Sequence, residues 1–456
     1  MSTASTSTSA LSSLLSALNN GSQGLDVASA VNSILYADRA PERAWQAQQT
    51  VLASQTTAIQ QLESYSLSVA TDLQSLGDPL GTFSSVAATS SDSTAVSATA
   101  ATGTVTGHHS ITVNNLATTG SWYSAEQISS TSALTAASFT INQGGKPTPF
   151  TLGSGNNNLT ELAASINSAA IGVSASVVTD ANGARLALVA QNSGTAGDFT
   201  VSSATGIALT QAVTAKDASL TVDGAPITSS SNTVVNAING LTLNLLTPTT
   251  SAATITIAPD TSQIQTALSS FVSDYNSLID GLNSQFTFNA TTQSEGVLGS
   301  DSVARSMQSD ILAASNLTIG SGSISNLGAL GITTNKDGTL SLNTQTLNSA
   351  LASNYRGVVD FFGGSGSTTG YSQTLITTFN SYTNPSQGAF TVDLQSISNE
   401  NQDLTKQTAT LEAHLAQQQS ILTLEYNNAN IALQQLPSTI KSTQVLLGTY
   451  STGSNG

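Results

Sequence analysis

The sequence predicts an α+β multidomain protein: an elongated antiparallel helical bundle or coiled-coil stalk, with two small antiparallel β domains inserted into it to form a head. Three observations predict this. Three distant stretches carry apolar residues in alternating steps of three and four, the a/d pattern of heptad helices. Residues 83–260, between the first two stretches, alternate apolar and polar residues with a strand period instead. Isolated heptad helices of this length are marginal in water, so each seam needs a partner, and the nearest partners are the other two.

The first helical stretch opens with Trp45, Leu52 and Ile59 at seven-residue spacing. It continues as Ile59, Leu62, Ser66, Val69, Leu73, Leu76 and Leu80. Pro41 suits a first helical turn, and Gly77 with Pro79 marks the end. The second follows Pro259 and Asp260, with the seam Ile264, Leu268, Phe271, Tyr275, Leu278 and Leu282; Gly281 weakens it near its end. The third runs through Leu394, Ile397, Leu404, Leu411, Leu415, Leu422 and Leu436. Asn401, Thr408, Gln418 and Glu425 interrupt it, setting register at a cost in stability. Pro437 is expected to end or kink this helix.

The inserted region is rich in Thr, Val, Ser and Gly. Ile111-Thr-Val113, Phe139-Thr-Ile141, Val173 to Val177, Leu186-Ala-Leu188, Leu241-Thr-Leu243 and Ile255-Thr-Ile257 read as strands. Gly144-Gly145, Asn182-Gly183, Asp223-Gly224 and Asn239-Gly240 read as turns between them. One short helix is expected over Leu159 to Ile166. The resulting division assigns 83–107 and 217–260 to an inner β domain and 108–216 to an outer one. Residues 31–82, 261–315 and 340–436 form the helical part, with a hairpin near 330–342 around Asp337-Gly338. Further helices are expected after Ser300-Asp301 (Val303, Met307, Ile311) and through Leu347, Leu351, Val358, Phe361 and Phe362, before the flexible loop Gly363 to Gly370.

Residues 1–30 and 437–456 are expected to be flexible docking segments. Leu11, Leu14, Leu15 and Leu18 fall on one helical face. Ordering some twenty residues costs ~1–2 kcal/mol each, and four leucines recover only ~1.5–3 kcal/mol each. Such an end folds on a partner. The opening stretch MSTASTSTSALSSLLSALNN has neither a leading positive charge nor a continuous apolar core, so it does not read as a general secretory signal.

Composition narrows the function classes. Of 456 residues only 8% are charged, and 26 acidic against 10 basic residues give a net charge of −16. The ten basic residues are scattered, which argues against nucleic acid as a partner. There is no cysteine, which excludes disulfides and thiolate chemistry. No apolar run is long enough to insert into a membrane. His108-His109 alternate across a predicted strand and cannot share a metal easily. Gly144-Gly145-Lys146 lacks the spacing of a phosphate loop, and Thr333 and Thr344 stand where a calcium loop around Asp337 needs carboxylates. No nucleophile elbow occurs. The expectation is no enzyme, no cofactor and no metal.

Ordered fragments carry a family resemblance. GLDVASAVNSILYADRAPE (Gly24 to Glu42), SDSTAVSATAATGTVTGHHSITVNNLAT (Ser91 to Thr118), FTINQGG, LTELAASINSAAIGVSASVV, GVLGSDSVARSM, LGITTNKDGTLSLN and SALASNYRGVVDFF follow in the order found in the flagellar hook-associated proteins that cap filaments. The chain thus resembles that family over nearly its whole length. QLPSTIKSTQVLLGTY, near the C-terminus, departs from the family's pattern.

The resemblance implies a secreted protein at the distal tip of a bacterial flagellum. It implies passage through the type III export apparatus with an export chaperone, and a homo-oligomeric ring, a pentamer by expectation. The partners it implies are flagellin and other axial proteins. Leu11, Leu14, Leu15, Leu18, Leu436, Leu446 and Leu447 are then the expected apolar anchors to neighbouring subunits. Two alternatives stand beside this: another axial component, such as a hook–filament junction protein or a flagellin, and a surface adhesin using the β head.

Overall fold

The computed structural model describes residues 26–134, 138–153, 157–291 and 293–451. Its helices are α1 (Val27–Asp38), α2 (Ala40–Gly77), α3 (Leu159–Ser168), α4 (Thr261–Phe286), α5 (Ser302–Ser315), α6 (Thr344–Gly363), α7 (Tyr371–Thr383) and α8 (Ala389–Ser451). Its principal strands are β1 (Val86–Ser90), β2 (Val96–Ala100), β3 (Gly107–Asn115), β4 (Ser121–Ser124), β5 (Ser138–Gln143), β6 (Lys146–Thr151), β7 (Val173–Thr179), β8 (Ala184–Ala190), β9 (Phe199–Thr205), β10 (Leu209–Val213), β11 (Ala218–Val222), β12 (Ala225–Ser229), β13 (Thr233–Ile238), β14 (Leu241–Leu245), β15 (Ala253–Pro259), β16 (Ile332–Thr334) and β17 (Leu340–Leu342).

The chain divides into two units. One comprises Met1–Leu73, Ser270–Asn343 and Thr368–Gly456; the other comprises Gln74–Ser269 and Thr344–Ser367.

The first unit is helical. Along α2, Ile59, Leu62, Val69 and Leu73 are at most 2% exposed, as the three–four spacing requires. Ser66 is buried in the same seam; its hydroxyl donates to the Leu62 carbonyl, so no polar atom is stranded. From α4 this unit takes Phe271, Tyr275, Leu278 and Leu282, all fully buried. Gly281 does not shorten α4, which runs on to Phe286. It lets α2 approach: a Cβ at this position would stand 3.1 Å from the Tyr65 ring. Asp301 caps α5 by accepting from Ala304 N–H at 2.8 Å, and β16–β17 form the expected hairpin.

The second unit holds two β modules. In the inner one, the sheet β1-β15-β3-β11-β12 and the sheet β13-β14-β2 enclose Val96, Ile111, Val113, Leu220, Leu241, Leu243 and Ile255. In the outer one, the sheets β10-β4-β8-β7 and β6-β5-β9 close with α3 over Phe139, Ile141, Leu162, Ile166, Leu186, Leu188 and Phe199. Every pair of strands in these sheets is antiparallel. At the open edge of β7, the Asn167 carboxamide accepts from Ala175 N–H and donates to Ala175 C=O, both at 2.8 Å. Also in this unit, Ile264, Leu268 and Leu76 are buried, and α6 bends at Asn354.

Four sequence expectations need correction. The outer module does not begin at residue 108: β3 pairs with β15 and β11, and its Ile111 and Val113 point into the inner core. The N-terminal segment does not extend to residue 30, because α1 starts at Val27, capped by the Asp26 side chain on Ser29 N–H. Pro437 does not end α8; it removes one ladder donor, and the turns on either side keep the helical path to Ser451. Finally, α7 was not foreseen; it buries Tyr371, Leu375, Phe379 and Tyr382.

Candidate functional site: an interaction scaffold

The residues with chemical potential are held in structural roles. His108 and His109 alternate along β3: Nδ1 of His108 meets Thr256 Oγ1 at 3.0 Å, and Nδ1 of His109 meets Asp223 Oδ2 at 2.8 Å. The His109 hydrogen bond, with Ser110 N–H beside it, holds the Asp223 carboxyl below its ordinary range. Gly144 and Gly145 both take positive φ in the β5–β6 turn, so this is a hairpin corner. Asp337 accepts from Thr339 N–H and Oγ1, closing the β16–β17 turn on itself. Among the described residues, no group of three or more His, Asp or Glu is placed to hold a metal ion. No described helix is long and apolar enough to cross a membrane.

The helical unit contains carboxyls in costly surroundings. Burial, with Asp274 nearby, pushes the Asp72 carboxyl up to about 6. Burial, with Asp301 beside it, pushes Asp393 up to about 6. Tyr382 donates its hydroxyl to Asp310 at 2.5 Å. Asp72 and Asp393 lie among packed helices, where burial disfavours the charged carboxylate.

Helix α8, Ala389–Ser451, provides an extended surface. Its first half packs antiparallel on α1 and α2. Val31, Leu35 and Leu415 form a buried cluster, with Val27, Leu411, Leu422 and Tyr426 against it. Polar contacts fix the register. Arg39 grips both oxygens of Glu412 at 2.5 and 3.0 Å, Gln418 donates to Asp38 at 2.9 Å, and Gln49 donates to Thr405 at 3.0 Å. Sequence reading did not single out Arg39; the signal available was its place at the α1–α2 junction, where a cation can reach a facing helix. Beyond residue 426, α8 exposes Ile431, Leu433, Leu436 and Ile440.

The expected seam residues fare differently. Ile59, Leu62, Val69, Leu73, Phe271, Tyr275 and Leu278 are buried in the helical unit, and Leu76, Ile264 and Leu268 in the other. Leu404 and Leu415 are buried, while Leu411 and Leu422 are half-buried. Of the expected anchors, Leu436 is exposed. Leu11, Leu14, Leu15 and Leu18, and the side chains of Leu446 and Leu447, lie outside the described residues.

Comparison with known proteins places this scaffold. Residues 23–120 match the family model for the flagellar hook-associated protein 2 N-terminus, and residues 215–438 match that for its C-terminus. A flagellar hook-associated protein 2 of Escherichia coli O157:H7 is 30% identical over 390 residues, 79% of this chain and 83% of its own length. The chain belongs to the flagellar hook-associated protein 2 family.

Another family member, from Aeromonas caviae, is 27% identical over 94% of this chain and 97% of its own. The crystal structure of the D1-D2-D3 domains of the flagellar cap protein FliD from Escherichia coli superposes with a TM-score of 0.55 at 30% identity, covering 75% of this chain and 99% of that one. The flagellin hook IN motif matches residues 138–192, which is the stretch from β5 through α3 to β8. The outer module of this family member therefore contains that motif as a folded piece of its own core.

Proposed function

We propose that this chain caps the distal end of a bacterial flagellar filament and promotes folding and incorporation of exported flagellin. One observation carries the reading: both ends of the hook-associated protein 2 pattern occur in order on one chain, whose fold resembles that of a solved flagellar cap protein. In this reading the helical unit serves as a leg, with its seam residues as a coiled-coil stalk. The two β modules serve as the plate, and several copies, a pentamer as the working number, close into a ring. The chain reaches the tip through the type III export apparatus, handed over by a chaperone. Its lack of cysteine suits transit as an unfolded chain. The terminal segments dock on axial proteins, and binding that must repeatedly release needs only modest net affinity.

The adhesin reading has weak physical support. Of the aromatic residues in the outer module, Phe139, Phe150 and Phe199 are buried, the Trp122 indole N–H donates to the Phe199 carbonyl, and Tyr123 is 38% exposed. That leaves little aromatic face for stacking on sugars.

Deleting the gene in its native strain tests the capping reading. The expected outcome is flagellin released as monomers into the medium, with filaments restored by adding the purified chain. Filaments of normal length in the deletion strain refute it.

A further inference from the structure

Two helices end at one place in the second unit. Helix α2 finishes at Gly77 and α6 at Gly363, and a Cβ on Gly363 would stand 3.3 Å from the Gly77 carbonyl oxygen. The C-terminal end of a helix is the negative end of its dipole, so cations are favoured there and carboxylates are not. This chain does the reverse. Asp360 lies in the last turn of α6, Asp78 directly follows α2, and the last turn of α2 has no basic residue. Arg356 meets Asp360 at 3.1 Å from one turn back, but its side chain is 84% exposed, and so exposed an ion pair compensates little. Natural chains break such local rules mostly where a function needs it.

The two carboxylates line an open pocket of about 400 Å³ between the helix ends, within the size range of ligand sites. Leu76, Phe83, Tyr355 and Val359 give it apolar and aromatic walls. The walls are held in place. Phe83 and Tyr355 meet edge to face with ring centroids 6.3 Å apart, and the Tyr355 hydroxyl donates to the Phe83 carbonyl. Inorganic cations are strongly hydrated and gain nothing from such walls. A guanidinium is weakly hydrated, stacks on aromatic rings and bonds carboxylates through a planar fork. Its methylene stem can lie along Leu76 and Val359.

We propose that the pocket at the joined C-terminal ends of α2 and α6 receives an arginine side chain of a partner protein, with Asp78 and Asp360 taking the guanidinium. The occupant completes what the helix ends lack, a cation at the negative end of each dipole. The net charge of −16 favours the approach of a basic partner. This inference does not depend on the capping function.

Full-length protein with isotope-labelled leucine and valine methyl groups is titrated with N-acetyl-arginine amide and, separately, with N-acetyl-citrulline amide, its uncharged isostere, at fixed ionic strength. The Leu76 and Val359 methyl signals report the pocket. The expected result is a saturable shift of both, with a Kd at least tenfold lower for the arginine probe. Asp78→Asn with Asp360→Asn is expected to weaken the arginine probe at least fivefold while the other methyl signals stay in place, since asparagine at 78 keeps the oxygen that accepts from Leu80 N–H at 2.9 Å. Arg356→Gln removes the resident competitor for Asp360 and is expected to tighten binding at least twofold. Magnesium chloride in place of the probe is expected to move neither signal. Equal binding of the two probes, unchanged binding in the double variant, equal shifts with magnesium, or no saturable shift at Leu76 and Val359 overturns the proposal, and weaker binding in Arg356→Gln counts against it.

Discussion

In α8, residues 389–426 bury Phe390, Leu404 and Leu415, whereas residues 427–445 leave Ile431, Leu433, Leu436 and Ile440 open to solvent. Both halves are apolar at helical spacing, and both lie on one unbroken helix. The first half has α1, α2 and α7 to pack against. Its Phe390 ring sits 6.0 Å from that of Tyr382, and its Glu412 is clasped by Arg39. In the second half those four side chains are 40–54% exposed. Apolar spacing thus marks where a helix is able to bury a face, and tertiary partners decide whether it does.

Substitutions sharpen that contrast, beginning with the largest effect. Phe390→Ala removes a fully buried ring and is expected to cost about 3–5 kcal/mol in the helical unit, read by urea denaturation with circular dichroism. If it costs under about 1 kcal/mol, the first half is not packed as described. Leu415→Ala, in a smaller cluster, should cost about 2–3 kcal/mol by the same measurement. Leu424→Ser, on the exposed side, should stay within about 0.5 kcal/mol of the parent.

A pH titration probes the packed half from another direction. The Asp393 carboxyl is raised from its ordinary 3.8 to about 6, so the folded state binds its proton more tightly than the unfolded state does. Its stabilising contribution is complete below about 4 and is lost as pH rises through about 6; Asp72 behaves in the same sense. Stability of the helical unit should therefore increase as pH falls from 7 toward 5. Asp393→Asn should raise stability at pH 7 and flatten this dependence. An unaltered slope in that variant would assign the effect to other groups.

The helical seams were legible because they depend on local spacing: Ile59, Leu62, Val69 and Leu73 announce a buried face without reference to any partner. The boundary between the β modules was not. Whether Gly107–Asn115 joins the inner or the outer module depends on β11 and β15, strands more than a hundred residues away in sequence, and no local turn signal carries that information. Helix α7 escaped notice although Tyr371, Leu375, Phe379 and Tyr382 have helical spacing, because the Gly- and Ser-rich run just before it dominates the local signal. Pro437 misled for a different reason. A proline costs a helix one hydrogen bond and a local clash, which a long helix is able to absorb. For function, the fragment order identified the family. The register of α8 on α1 became readable only once Arg39 and Glu412 were seen together.

The Asn167 side chain at the rim of β7 has a consequence for proteins held close together. An uncovered strand edge is a template on which another chain's strand can grow, and crowding identical molecules multiplies that hazard. By offering one donor and one acceptor to Ala175, Asn167 occupies the position a foreign strand would take first. Pro147 and Pro149 make β6, at the edge of the neighbouring sheet, a poor template in another way, since neither has an N–H to give. Copies of this β module can be crowded shoulder to shoulder with less risk of zipping into amyloid-like ribbons.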